Sequence, residues 1–240
     1  MSRRWAISPW EPVSRLRNVL ILECGEPLVD YLALCPRLLV ARPRWRYTRL
    51  TLARETVARA LVQASERLPA GIRLAVVEGW RPPHIQRRMH LAALARWRER
   101  HPDWSETQVK RVANRFTAPP HPKVPPPHTT GGAVDVLLVD ESGQELDMIS
   151  PFAYRDSRAY PTHAQGLSPI AQRNRAILFE AMSSTGLTNY PSEYWHWSYG
   201  DQGWAYRGQH PHAIFGPIQP PDWLPDPQEA IEAPLEWVNE

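Results

Sequence analysis

The sequence predicts one α+β domain with helices flanking a central antiparallel or mixed sheet. A chain of 240 residues, 42% hydrophobic and 22% charged, is long enough to bury a core without disulfide bonds. Runs of β-branched apolar residues at 72–78 and 133–139 predict buried strands. Clustered helical patterns alternate with hairpin-like strand signals, which favours the α+β class with residues 1–240 as a single domain.

The first quarter of the chain predicts short strands followed by a helix. Residues 18–39 contain short apolar runs broken by Gly25 and Pro27, a pattern typical of strands and turns. A helix is predicted over 51–67, where five apolar residues recur at helical spacing. These residues are Ala53, Val57, Ala60, Leu61 and Ala64.

Two more helices follow the predicted strand 72–78. Prolines 82 and 83 are tolerated in a first helical turn, so a helix is predicted from there to about residue 100. The Ser105-x-x-Gln108 pattern is a capping box that predicts a third helix to about residue 115. The proline-rich segment 117–127 predicts a stiff, extended approach to His128.

Turn and cap signals organise the remainder of the chain. Residues 141–143 predict a hairpin turn after the strand 133–139. Ser168 caps the last clear predicted helix, and Gly186 lies just past its end. The aromatic segment 193–199 predicts a strand. The Pro-rich, acidic tail 217–240 is expected either to wrap the surface or to be loose.

Charge and cysteine content argue against several classes of protein. The net charge of +3 is mild, and the arginines between Arg81 and Arg115 fit solvated helix faces without a nucleic-acid recognition motif. Cys24 and Cys35 are too few for a disulfide scaffold and form no CxxC pair. The first residues lack a continuous apolar stretch, and no run reaches the length of a membrane span. We therefore expect a soluble, cytoplasmic protein.

The first chemical motif is a histidine followed by a glycine pair and a strand aspartate. Gly131 and Gly132 allow the backbone to fold tightly enough for His128 and Asp135 to converge. An aspartate on a buried strand must be paired, hydrogen-bonded or bound to a metal. A surface histidine with a hydrogen-bonded aspartate explains the same pattern about equally well.

The second motif is Glu193-Tyr-Trp-His196. A glutamate three residues before a histidine can act as a base beside a metal ligand, although that spacing does not share a face on an ideal strand. A core histidine with a solvated glutamate is the competing interpretation. Together with His128 and Asp135, His196 completes a two-histidine, one-carboxylate set typical of catalytic zinc.

The third motif runs from Glu78 to Pro83. Arg81 follows a buried strand and is fixed by proline, so it is well placed to stabilise the oxyanion that develops in peptide hydrolysis. A helix-start arginine paired with a surface acid is the ordinary alternative. Trp80, Trp195 and Trp197 are candidates for the walls of a small pocket, with core packing expected for at least one of them.

In this order, the three motifs resemble the D-alanyl-D-alanine dipeptidase (VanX-like) family of M15 zinc peptidases. The similarity covers about residues 72–206, including the Asn-Tyr-Pro-Ser sequence before Glu193. The resemblance implies the α+β DD-peptidase fold, which is related to the hedgehog signalling domain. It implies one zinc ion per chain held by His128, Asp135 and His196, with Glu193 as general base and Arg81 near the substrate carbonyl.

Two positions depart from the pattern of this family. A serine usually stands two residues before the first histidine ligand, where this chain has Pro126. An aspartate that helps to hold the free amino group of the substrate usually follows a phenylalanine, whereas here Phe152 is followed by Ala153. Asp156 lies nearby and is a candidate replacement.

The resemblance implies zinc-dependent hydrolysis of a small D-amino-acid dipeptide such as D-Ala-D-Ala. The resemblance also implies that zinc-activated water would attack the peptide carbonyl and that Glu193 would take its proton. The partner is then a small peptide, with no nucleic acid and no membrane. Three alternatives stay open: a D,D- or L,D-carboxypeptidase or amidase acting on a longer cell-wall or specialised peptide, a non-catalytic zinc-stabilised peptide-binding module, and an Fe(II) site.

Overall fold

Seven short strands form two sheets in the structure, a computed structural model that describes residues 11–238. The strands are β1 (Leu28–Asp30), β2 (Leu39–Val40), β3 (Leu52–Arg54), β4 (Ile72–Glu78), β5 (Ala133–Asp140), β6 (Thr188–Asn189) and β7 (His196–Ser198). The larger sheet has the order β2-β4-β5-β7-β6, and only its β2–β4 pair is parallel. The smaller sheet pairs β1 with β3.

Helices surround these sheets, as expected for the α+β class. They are α1 (Val13–Leu16), α2 (Tyr31–Leu34), α3 (Glu55–Glu66), α4 (Pro83–Arg100), α5 (Glu106–Ala113), α6 (Pro169–Ser183) and α7 (Gln202–Gly208). Two 3-10 segments cover Pro127–Thr130 and Ser157–Ala159. The prediction of a single mixed α+β domain is therefore confirmed.

The main core lies on one face of the larger sheet. Leu74 and Val76 of β4 pack with Val134, Val136 and Leu138 of β5 against the apolar faces of α3 and α6. Because strand side chains alternate, the intervening residues point to the opposite face. That second face carries a smaller apolar cluster and also Asp135 of β5. The sheet thus separates the main core from its polar side.

The best-formed elements match the sequence expectations closely. Strand β4 has the predicted bounds, and α4 begins at the second of its two prolines. Ser105 forms the predicted capping box, with the Gln108 backbone N–H donating to Ser105 Oγ at 3.4 Å. Ser168 Oγ accepts a hydrogen bond from the Ala171 N–H at 3.1 Å. Local capping chemistry therefore decides where these helices begin.

The early part of the chain differs from its prediction. The predicted helix 51–67 begins only at Glu55, because 52–54 pairs with β1 as strand β3. The run 19–23 forms no strand and makes a single bridge, from Ile21 to Ala213. After β1, the Asp30 carboxylate accepts the Leu32 N–H at 2.9 Å and starts the one-turn helix α2. Side-chain capping thus overrides the strand propensity of this segment.

The sequence suggested that the helix capped by Ser168, α6, is the last one, but the structure has a further helix after it. Asp201 Oδ1 accepts the Trp204 N–H at 2.6 Å and starts α7, which ends at a left-handed Gln209. The tail beyond 216 wraps the surface within the described part of the chain. Leu235 is buried against Ile85 of α4. The Trp237 ring stacks on that of Trp45, with 3.9 Å between the ring centres.

The remaining global expectations concern membranes and cysteines. None of the helices within 11–238 combines the length and apolar character needed to cross a bilayer. Cys24 is exposed and Cys35 is buried, and both are free thiols.

Candidate metal centre and active site

Polar side chains from three strands form one row across the larger sheet. Asp135 of β5 lies opposite His196 of β7 on one side and opposite Glu78 of β4 on the other. Strict alternation would point Glu78 towards the face of Leu74 and Val76. The register shifts between Val76 and Glu78, so this irregularity brings the glutamate to the face of Asp135.

Two imidazoles converge on the Asp135 carboxylate. His196 Nδ1 lies 2.9 Å from Asp135 Oδ1, and His128 Nε2 lies 3.4 Å from the same oxygen. One ligand atom from each of the three residues lies within 4.8 Å of the other two. Two histidines and a carboxylate are the donors that catalytic zinc sites use, with a fourth position left open. The donor set therefore fits a metal ion.

The position of His128 depends on the backbone around it. Its Nδ1 lies 3.0 Å from the Gly79 carbonyl, which fixes the ring and leaves Nε2 facing Asp135. Gly131 ends the 3-10 turn at a φ of 69°, a left-handed value that favours glycine. A Cβ at Gly132 would lie only 2.6 Å from the Tyr199 carbonyl oxygen. The glycine pair therefore permits the tight backbone turn between His128 and Asp135 that the sequence predicts.

The charges in this cluster are strongly coupled. Burial alone would raise the pKa of Asp135, but His128 and His196 overcome it and hold that pKa well below its usual range. Burial would lower the pKa of His196, and its hydrogen bond to Asp135 reverses the direction and raises it. Asp135 therefore stays ionised and attracts a cation, either a proton on His196 or a metal.

Glu193 lies in a turn before β7, so the predicted strand 193–199 is too long. The backbone N–H of Glu193 donates to the Tyr190 carbonyl at 2.9 Å, and the His196 N–H donates back to the Glu193 carbonyl at 3.1 Å. This turn resolves the spacing problem, because residues 193 and 196 need not share a strand face. Both side chains line one cavity with Asp135.

The Glu193 carboxyl is suited to proton transfer. Burial raises its pKa to about 8, and the Asp135 charge adds to that shift while His196 opposes it. A carboxyl that changes protonation state near neutral pH can exchange a proton with a reacting group.

Arg81 is held by the side chains of Gln86 and Glu78, to which the sequence assigned no role. Its two terminal nitrogens donate to Gln86 Oε1 at 2.7 Å and to Glu78 Oε2 at 3.1 Å. Tyr47 donates its hydroxyl to the other oxygen of Glu78. Burial lowers the pKa of Arg81, but Glu78 and Tyr47 outweigh it and raise that pKa, so the guanidinium stays charged.

Two details orient Arg81 relative to the histidine cluster. Its backbone N–H donates to the His128 carbonyl at 3.1 Å, and its Nε is buried without a hydrogen-bond partner among residues 11–238. An unpaired buried donor is costly unless a ligand engages it. The sequence carried only a partial signal for this network: Glu78 ends a mostly apolar strand, and a carboxylate that is buried there requires a partner.

All five predicted site residues line one cavity of about 600 Å³. These residues are Arg81, His128, Asp135, Glu193 and His196. Of the three tryptophans considered as walls, Trp195 lines the cavity, whereas Trp80 and Trp197 are fully buried core residues.

The positions that depart from the family pattern lie differently around the cavity. Ala153 and Asp156 both line it. The Asp156 carboxylate, however, accepts the Arg158 backbone N–H at 3.0 Å and pairs with the Arg158 guanidinium at 2.6 Å. It is therefore already engaged and is a poor replacement for the amine anchor. Pro126 accepts two hydrogen bonds from Thr129 through its carbonyl.

Comparison with known proteins gives consistent results. The Peptidase_M15 family, described as "D-ala-D-ala dipeptidase", matches residues 40–215. A D-alanyl-D-alanine dipeptidase from Synechocystis sp. is 35% identical over 123 residues, covering 46% of this chain and 50% of the relative. Proteins of the same name from Escherichia coli and Enterococcus faecalis are 39% and 32% identical over 69 and 76 residues. These alignments cover 29% and 31% of this chain.

The matched regions are shorter than the relatives themselves. The chain spans half the length of the Synechocystis protein, 35% of the Escherichia coli protein and 37% of the Enterococcus faecalis protein.

Proposed function

The chain belongs to the D-ala-D-ala dipeptidase family, Peptidase_M15, and from this premise we propose that it is a zinc-dependent peptidase for a small D-amino-acid dipeptide such as D-Ala-D-Ala. The observation that carries the proposal is the convergence of His128, Asp135 and His196 in the cavity that also contains Glu193 and Arg81. This set combines the donors for a metal with a base and a fixed cation.

In this proposal, His128, Asp135 and His196 hold the zinc ion. Zinc in such a site polarises a carbonyl group and makes water more acidic. The residues of the chain do the rest. The Gly79 carbonyl orients the His128 ring, and the sheet register orients Asp135 against His196. Strand pairing and this backbone hydrogen bond therefore support preorganised donors.

Glu193 and Arg81 would carry out the proton transfer and the charge stabilisation. Glu193 in its ionised form takes a proton from the attacking water and later returns it to the leaving amine. Arg81, held by Glu78 and Gln86, stabilises the negative charge that develops on the carbonyl oxygen. Its unpaired Nε is a donor that the substrate could engage.

The test is hydrolysis of three peptides by the zinc-loaded protein: D-Ala-D-Ala, L-Ala-L-Ala and N-acetyl-D-Ala-D-Ala. Cleavage of free D-Ala-D-Ala alone is the expected result. Cleavage of the acetylated peptide alone would replace the dipeptidase proposal with a carboxypeptidase. No cleavage of any of them with zinc bound would overturn the proposal and favour a peptide-binding module.

A second candidate is a carboxypeptidase or amidase that acts on a longer peptide. Two observations favour it: the cavity of about 600 Å³ falls in the range that holds drug-sized ligands, and Ala153 provides no carboxylate for a free amine. The acetylated peptide in the panel above distinguishes this candidate from the dipeptidase. For either activity we propose a role in turnover of cell-wall peptides, in the cytoplasm, which fractionation of the native host would test.

A further inference from the structure

Two partly buried arginines in the cavity lack any acidic or hydrogen-bonding partner among residues 11–238, whereas Arg49 donates to backbone carbonyls and Arg100 is exposed. Arg96 of α4 and Arg155, in the loop before the second 3-10 segment, both line the cavity. Within the described part of the chain, neither guanidinium forms an ion pair or a hydrogen bond, and the Nε of Arg155 is buried. By contrast, Arg44 in the same cavity is paired with Glu145 at 2.6 Å.

Arg155 is fixed by its backbone and by aromatic rings. Its φ is 67°, a left-handed value that is uncommon for a residue with a side chain. Its guanidinium carbon lies 4.3 Å from the centre of the Trp237 ring and 5.4 Å from that of Tyr154. These contacts hold the cation in place without neutralising it. The adjacent Asp156 does not neutralise it either, because it pairs with Arg158.

The two cations lie at the same end of the cavity as Tyr160. Burial raises the pKa of the Tyr160 hydroxyl, and both Arg96 and Arg155 act against that increase. Burial lowers the pKa of Arg96, and the nearby Arg100 and Arg155 lower it further. The Tyr160 ring in turn packs against Trp195 at 4.9 Å, and its carbonyl accepts the N–H of Tyr194. This end of the cavity therefore adjoins the Glu193 turn.

We propose that Arg96 and Arg155 form an anion subsite that binds a carboxylate of the substrate beside the reacting amide. Partly buried, unpaired guanidinium groups strongly favour a carboxylate, because a charge-assisted hydrogen bond replaces their lost hydration. This inference rests on the proposed peptidase function, since it assigns the substrate chemistry of the same cavity.

The carboxylate could come from either end of the substrate, so the experiment uses two matched pairs of peptides. D-Ala-D-Ala is compared with its C-terminal amide, and N-succinyl-D-Ala-D-Ala is compared with N-acetyl-D-Ala-D-Ala. Dissociation constants are measured by calorimetry with zinc-loaded Glu193→Gln protein, in which turnover is expected to be too slow to interfere. Binding is thus read separately from catalysis.

The expected result is that one pair shows at least about tenfold tighter binding of the anionic member. Arg96→Gln and Arg155→Gln should each remove most of that preference, and 0.5 M salt should weaken it. The matched control is Arg98→Gln, two residues along α4. This residue is exposed and does not line the cavity.

The inference is overturned if neither pair shows a preference, or if the preference survives both cavity variants. Arg96→Lys, which keeps the charge, should retain part of the preference and so separates loss of charge from misfolding. If the Arg-dependent preference is present but the wild-type protein cleaves no peptide, the subsite stands and the peptidase proposal fails. If D-Ala-D-Ala is cleaved without any Arg dependence of binding, only the subsite fails.

Discussion

The Asp135 carboxylate and His196 Nδ1 lie 2.9 Å apart because the two residues are directly opposed in the β5–β7 register. Backbone pairing, rather than side-chain flexibility, sets this distance. His128 reaches the same oxygen from a 3-10 turn outside the sheet. The proposed metal site therefore combines two donors fixed by strand pairing with one fixed by a hydrogen bond to Gly79.

Removing either histidine should abolish metal binding. His128→Ala and His196→Ala each leave two donors, which is too few to hold zinc firmly in a three-ligand site. We expect less than about a tenth of the wild-type zinc content after dialysis, measured by atomic emission. His163→Ala, a change outside the cluster, should retain full zinc. Full occupancy in both site variants would refute the ligand assignment.

Replacing Glu193 should separate metal binding from catalysis. Glu193→Gln keeps the shape of the side chain but cannot accept a proton, so kcat should fall by about 10²–10⁴-fold with zinc content unchanged. Glu145→Gln, which removes another carboxylate from the cavity wall, is the matched control and should stay within a few-fold of wild type. Near-normal turnover in Glu193→Gln would exclude this residue as the base.

Glu193 should also make the metal-free protein less stable as pH rises. Burial raises its pKa from 4.5 in the unfolded chain to about 8 in the folded protein, so folding favours the protonated form. Its stabilising contribution is complete below about pH 4.5 and is lost as pH rises to about 8.

The comparison for this prediction is wild type against Glu193→Gln, both without metal. The difference in unfolding free energy should change by at most about 1.4 kcal/mol per pH unit within that window. Urea titrations at several pH values measure it. A difference that stays constant from pH 5 to 9 would contradict the raised pKa.

Arg81 should stabilise the negative charge of the transition state, and Glu78 should contribute by holding Arg81 in place. Arg81→Ala is expected to lower kcat by about 10²–10³-fold with a smaller change in KM. Glu78→Gln removes one of the two side-chain acceptors of Arg81, so we expect a smaller loss in kcat. In the double variant the effects should not add, because both changes affect one unit. A pure KM effect would make Arg81 a substrate clamp, and additive losses would show that Glu78 acts independently.

The C-terminal tail should contribute to the stability of the domain. Leu235 is 2% exposed and packs on Ile85 and Met89 of α4, so Leu235→Ala should lower the free energy of unfolding by about 2–5 kcal/mol. Ile231→Ala, at an exposed tail position, should change it by less than about 0.5 kcal/mol. Chemical denaturation measures both. Equal stability of the Leu235 variant and wild type would mean that the tail is not part of the folded unit.

Much of the fold could be predicted where one local signal decides the structure. Strand β4 is a mostly apolar run, and Ser105 and Ser168 cap helices through contacts three residues away. Such signals need no tertiary partner. The residues at 128, 135 and 196 could likewise be selected because their types and order match a known donor set.

Several unpredicted features depend on contacts distant in sequence, whereas α2 and α7 begin at local caps formed by Asp30 and Asp201. The register shift before Glu78 exists only in the pairing with β5, and β3 forms because β1 lies beside it. For the tail, the sequence left two alternatives, wrapping the surface or being loose, and only the contact of Leu235 with α4 decides for the first. The role of Glu78 could not be inferred for the same reason: the sequence shows a glutamate at the end of a strand but not which way it points.

Some residues of the cavity lie in strands and others in a loop, and this difference affects which of them can be substituted during evolution. Asp135 and His196 are locked in strands, and any shift there would disrupt the core on the reverse face. Ala153 and Arg155 lie in a connecting segment whose backbone no strand constrains. If the proposed function holds, changes at a few loop positions can therefore alter which peptide binds while the proposed metal site is inherited unchanged. We therefore expect proteins that diverge from this one to differ first in the peptide they prefer and only later in the reaction they catalyse.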